Sequence, residues 1–198
     1  MNNLPYNRMV KNYDLNTKIR VIEVFTSIDG EQPRMGEITT FVRLAGCNLK
    51  CNYCDTAHSQ DRNGGEEMTV WELIKVIRQV SFNNNITLTG GEPLLQSEAV
   101  EELCQRLSVL GYKINIETNG TIIPSMQIIL NSNCMIYDYK SPEQFKIPKE
   151  ILRSEDVIKF VINSKVAFDI VKKVATELMH TKTVSYTHLR AHETREDL

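Results

Sequence analysis

The sequence predicts an α/β fold in which a strand pair leads into a parallel sheet with right-handed crossovers, either doubly wound or closing toward a barrel. Two observations carry this. Short β-branched runs alternate with helically periodic segments along most of the chain, and such alternation builds parallel sheets because each crossover helix must lie on a sheet face. The first two runs are instead joined by a loop containing Gly and Pro, which suits antiparallel neighbours. The 198 residues, 41% hydrophobic and 24% charged, suffice for one buried core and not for two. One domain is expected over residues 1–183.

Residues 20–26 (RVIEVFT) and 37–44 (EITTFVRL) form the pair, separated by SIDGEQPRMG. Thr69 and Glu72 make a T-x-x-E capping box ahead of VWELIKVIRQV, whose apolar positions recur at helical spacing. Residues 85–89 (NITLT) read as a strand, 98–110 as a helix, 112–117 (YKINIE) as a strand and 125–130 as a short helix. Strands at 134–139 and 156–162 and an amphipathic helix at 167–179 continue the rhythm. From Val184 onward, VSYTHLRAHETREDL loses the periodicity and resembles a translated sequencing-adapter read. Residues 184–198 are therefore expected to be a non-native tail, with no strand after the last helix. The His188/His192 pair within it is discounted as a metal site.

A net charge of −2 offers no basic excess for nucleic acid or anionic lipid. Neither an N-terminal apolar stretch nor a run near the roughly 18 to 20 apolar residues of a membrane span is present. A cytoplasmic protein whose partners are not polyanions is expected. Five cysteines, three of them within eight positions, suit a metal site better than a disulfide framework.

Those three, Cys47, Cys51 and Cys54, form CxxxCxxC directly after a predicted strand. Three thiolates serve three irons of a 4Fe–4S cluster and leave the fourth open to an exogenous chelator. S-adenosylmethionine, with its amino and carboxylate groups, is such a chelator, and its reductive cleavage yields a 5′-deoxyadenosyl radical. Structural zinc is the alternative, but it wants four ligands and no second CxxC-like pair exists. Cys104, mid-helix, and Cys134, opening a strand, read as small core residues. The second motif, TLTGGEP over residues 87–93, follows a predicted strand at the end where ligands bind in α/β folds. Its paired glycines permit close backbone approach, and Glu92 can neutralise an ammonium group. Taken alone, an ordinary glycine turn explains it equally well.

Together, CxxxCxxC with the aromatic Tyr53 before its third cysteine and the GGE turn resemble the radical S-adenosylmethionine superfamily. EVFTSIDGE, FVRLAGCNLKCNYCDT, TLTGGEP, ETNG and DYKSP, in that order over about residues 20–165, resemble its 7-carboxy-7-deazaguanine synthase family. The resemblance implies a partial (β/α)6 radical-SAM-type barrel without its final strand. It also implies a lyase that contracts the ring of 6-carboxy-5,6,7,8-tetrahydropterin with loss of ammonia, in queuosine biosynthesis. The cofactors implied are a 4Fe–4S cluster on Cys47, Cys51 and Cys54, S-adenosylmethionine, and Mg²⁺ on Thr56. By the same resemblance Tyr53, Cys54, Asp55, Gly90, Gly91, Glu92, Asp138, Tyr139 and Lys140 face S-adenosylmethionine. Ile28, Asp29, Gly30, Glu31, Arg43, Thr89 and Glu117 face the substrate, with Arg43 pairing its carboxylate. The chain departs from the family in having Asp29 where Gln is frequent and Gln32 where Gly is frequent. An electron donor such as a flavodoxin and a homodimer are further family expectations. A glycyl-radical-enzyme activase, another radical enzyme of this superfamily, and a non-catalytic iron–sulfur protein are the alternatives.

Overall fold

The computed structural model describes residues 16–179, apart from 32, 53, 163 and 164, together with 184–189. Strand β1 (Lys18–Ile28) pairs antiparallel with β2 (Ile38–Leu44), setting Glu23 opposite Arg43 and Phe25 opposite Phe41. β3 (Glu66–Thr69) pairs antiparallel with the other edge of β1. From β2 the sheet continues in parallel through β4 (Asn85–Gly90), β5 (Lys113–Thr118), β6 (Cys134–Tyr139), β7 (Val157–Ile162) and β8 (Val184–Leu189). The order β3-β1-β2-β4-β5-β6-β7-β8 leaves an open sheet among the described residues. The crossovers carry α1 (Val70–Val80), α2 (Ser97–Val109), α3 (Met126–Asn131) and α4 (Lys165–Met179).

Strand side chains alternate between faces, so the sequence of each strand assigns its two surfaces. In β4 the buried Ile86 and Leu88 join the main core, while Thr87 and Thr89 take the opposite face. In β5 Ile114 and Ile116 alternate with Asn115 and Glu117, and in β7 Ile158 and Phe160 alternate with Lys159. The apolar face packs against Leu73, Ile74 and Ile77 of α1 and Leu103 and Leu107 of α2, all fully buried. Each such side chain contributes about 1.5–3 kcal/mol by leaving water. The polar face is concave and lines the cavity described below. Cys104 and Cys134 are buried, as their positions in a helix and a strand predict.

Two strands depart from the sequence expectation. β3, with the sequence EEMT, has no apolar signature, and it pairs with β1 through the main chain and an ion pair between Arg20 and Glu67 at 3.4 Å. β8 occupies the tail where no strand was expected, in parallel register with β7, Val157 opposite Val184. An uncovered strand edge presents unpaired N–H and C=O groups that accept any extended segment, so its pairing carries no statement about sequence origin. Tyr53, Gln32 and the tail beyond Leu189 lie outside the described residues.

Candidate active site

A cavity of about 510 Å³ opens at the carboxyl ends of the parallel strands and runs down their concave face. All three cysteines of the loop after β2 line its mouth, each half-buried and unpaired by disulfide. The loop is fixed by main-chain bonds: Gly46 N donates to Ser59 O at 2.8 Å, Cys47 N to Gln60 O at 3.1 Å and Cys54 N to Cys51 O at 3.1 Å. The turn after β4 locks onto it from the other side, with Gly91 N donating to Leu44 O and Glu92 N to Gly46 O. This contact requires glycine. A Cβ at Gly91 would meet Gly46 O at 2.3 Å and Cys47 Cβ at 2.8 Å, and Gly90, with φ +147°, is as tightly packed on Leu44.

No trio of His, Cys, Asp or Glu among the described residues is gathered closely enough for a single metal ion. A cluster asks something different, three separated thiolates each on its own iron, and three cysteines around one cavity mouth supply that donor set. Burial pushes the Cys47 thiol up, and Glu92, Cys51 and Cys54 add to the effect against the N–H of Leu49. A thiolate at Cys47 therefore needs a cation, which iron would provide. Leu49 N lies 3.4 Å and Asn119 Nδ2 3.9 Å from Cys47 Sγ, so N–H groups already face the sulfur. Thr56 Oγ1, 3.7 Å from Cys54 Sγ, and the exposed Asp55 line the same mouth.

Deeper in the cavity, Thr89 Oγ1 donates to Glu117 Oε2 at 2.7 Å, and Lys159 Nζ stands 2.7 Å from Glu31 Oε1 and 3.6 Å from Asp138 Oδ2. Lys140 pairs with the same Asp138 oxygen at 2.8 Å. Burial, with Glu31 reinforcing it and Lys159 and Thr89 opposing, raises the Glu117 carboxyl to about 7. Burial by itself would lower the Lys159 ammonium, but Asp138, Glu31 and Glu117 outweigh it and raise it. Arg43 lines the wall with its Nε on Glu23 Oε1 at 2.6 Å and its guanidinium over the Phe25 ring. Phe25 and Phe41 stack at 5.2 Å and form a flat apolar wall. The turn after β1 supplies Ile28, Gly30 and Glu31 to the lining, Ile28 largely exposed at the rim.

Three expected site residues have other duties in this geometry. Glu92 is fully buried, and its carboxylate accepts from Leu94 N, Thr118 Oγ1 and Asn119 N, joining the β4 turn to the end of β5 rather than lining the cavity. Tyr139 packs against Phe145 and Phe160, both ring centroids at 5.0 Å, because alternation along β6 sends it to the face opposite Asp138 and Lys140. Asp29 touches the cavity but is 1% exposed and bonded to Glu31 N and Thr87 Oγ1, which makes it a turn former. Lys159, Phe25, Phe41 and Asn119 line the cavity without having been singled out from the sequence. The alternation of β7, VIKFVI, with a lysine between two core residues, is the signal that could have found Lys159.

Comparison with known proteins gives four findings. The profile of the Radical SAM superfamily matches residues 41–179. The 7-carboxy-7-deazaguanine synthase of Clostridium acetobutylicum is 39% identical over 165 residues, covering 77% of this chain and 74% of that protein. The 7-carboxy-7-deazaguanine synthase of Hyperthermus butylicus is 45% identical over 111 residues, 56% of this chain and 46% of that one. The chain thus spans from about half to three quarters of these relatives. Among solved structures, QueE from Escherichia coli superposes with a TM-score of 0.73 at 20% identity over 89% of this chain and 85% of that one, a likeness of fold. Among the described residues no helix is long and apolar enough to cross a membrane.

Proposed function

Because the chain belongs to the radical SAM superfamily and, within it, to the 7-carboxy-7-deazaguanine synthases, we propose that it converts 6-carboxy-5,6,7,8-tetrahydropterin to 7-carboxy-7-deazaguanine with loss of ammonia, on the route to queuosine. The supporting observation is one cavity that joins a three-cysteine mouth to a wall of flat aromatics and ionised side chains. Cys47, Cys51 and Cys54 would hold the 4Fe–4S cluster, and S-adenosylmethionine bound there supplies the hydrogen-abstracting radical. Gly90 and Gly91 give it a surface without side chains, and Asp138 and Lys140 stand on its other side. Glu92 holds the turn through Thr118 Oγ1 and Asn119 N.

The flat pyrimidinone ring of the substrate would stack on Phe25 and Phe41, with Arg43 on the substrate carboxylate and Glu31, Glu117 and Thr89 on ring N–H and carbonyl groups. Thr56 at the mouth would offer a hydroxyl to Mg²⁺, whose remaining ligands would be substrate oxygens and water. A flavodoxin-type donor, a homodimer, cytoplasmic location and a foreign origin for residues 184–198 complete the proposal. The test is anaerobic incubation of the reconstituted protein with S-adenosylmethionine, reductant, Mg²⁺ and the carboxytetrahydropterin. Deazaguanine product is expected. Formation of 5′-deoxyadenosine without that product would instead favour an activase or another radical enzyme. An intact cluster that yields neither would favour a non-catalytic iron–sulfur protein.

A further inference from the structure

Lys159 belongs to none of the motifs, yet it stands at the centre of the cavity's charge. Its side chain is 15% exposed and its Nζ lies 2.7 Å from Glu31 Oε1, on the turn after β1, and 3.6 Å from Asp138 Oδ2, on β6. Glu117 on β5 faces the same ammonium. The other charged groups of this face are already engaged: Lys140 with Asp138, Arg43 with Glu23, and Asp29 with Glu31 N and Thr87. Glu31 Oε2 and Asp138 Oδ1, the second oxygens of the two carboxylates on Lys159, are buried without a hydrogen-bond partner among the described residues. Buried acceptors of that kind are normally satisfied, so both oxygens are placed to accept N–H or O–H donors from a bound molecule or water.

We propose that Lys159 is a positioning residue that holds Glu31 and Asp138 on a single ammonium, aims their open oxygens at bound molecules, and so ties the substrate end of the cavity to the cofactor end. Fixing one oxygen of each carboxylate leaves the other a defined direction, which is how positioning groups lower a barrier without touching the reacting atoms. Without the cation, the three carboxylates would repel one another, and Glu117, which Lys159 now holds down against burial, would take up its proton at higher pH. The reaction assigned above enters only through the turnover readout.

Lys159→Met and Lys159→Arg are compared with the wild-type full chain carrying its cluster. Expected for Lys159→Met is a loss of about tenfold or more in kcat/KM, with the acidic limb of the pH profile displaced upward by about one pH unit. Lys159→Arg should recover to within about threefold, with the limb at its wild-type position. Should the methionine variant not fold, Lys159→Gln is expected to give the same displacement. Infrared difference titration of the cavity carboxylates, without substrate, reads that displacement in a protein that does not turn over. Absence of deazaguanine from the wild type defeats the assigned reaction alone. Unmoved carboxylate titration together with wild-type kcat/KM in the uncharged variant would overturn the role of Lys159. So would equal loss in Lys159→Arg and Lys159→Met with no displacement in either, the behaviour of a purely structural lysine.

Discussion

Gly91 shows how little freedom the site leaves to single side chains. A Cβ there would overlap Gly46 O and Cys47 Cβ, and both atoms belong to main chain or a cluster cysteine, so neither can swing aside. Gly91→Ala should therefore displace the cysteine loop and lower cluster occupancy several-fold, read as iron content and absorbance after reconstitution. Glu117 carries a pH signature. Its carboxyl is raised from the ordinary glutamate value of 4.5 to about 7, chiefly by burial. The folded protein thus holds this proton more tightly than the unfolded chain, and Glu117 makes stability fall as pH rises from about 4.5 through 7, with no further change above. Glu117→Gln abolishes that fall. Its melting temperature should exceed the wild type's more at pH 8 than at pH 5, by an increment worth about 2–3 kcal/mol, measurable by calorimetry at the two pH values.

Among the elements, α1 starts where the sequence places it because Thr69 and Glu72 cap each other: Thr69 Oγ1 accepts from Glu72 N at 3.1 Å and Glu72 Oε2 from Thr69 N at 2.7 Å. Thr69→Ala should cost about 1 kcal/mol in urea unfolding. The crossover from α3 to β7 is held differently. Arg153 donates to Ile129 O and Ser132 O at the end of α3 and pairs with the fully buried Asp156, whose Oδ1 takes Met135 N of β6. Arg153→Ala strands Asp156 as a buried charge, and about 3 kcal/mol of stability should be lost in the same assay. The sequence announces the capping box because its partners are three residues apart. It does not announce the arginine clasp, whose acceptors lie more than twenty residues away.

At the scale of the molecule, the cavity is assembled by the turn after β1 and the ends of β2, β4, β5, β6 and β7, while β8 adds backbone pairing to the outer edge of β7. If residues 184–198 are foreign, a chain ending at 183 should bind its cluster with unchanged iron content and visible spectrum. A halved iron content on truncation would count β8 as part of the working protein.

The sequence by itself determined the order of strands and helices apart from β3 and β8, the antiparallel opening pair, the three-cysteine loop and the glycine turn, because each is written in neighbours a few residues apart. The alternation of β4, β5 and β7 holds the signal for which side chains share the polar face, although Lys159 was not singled out from it. Only the tertiary structure decided what those side chains do. It buried Glu92 under the glycine turn, sent Tyr139 to the core, and brought Glu31 to Lys159 across 128 residues of chain. Sheet order and register create such pairs, and both are set by packing between distant segments rather than by any local pattern.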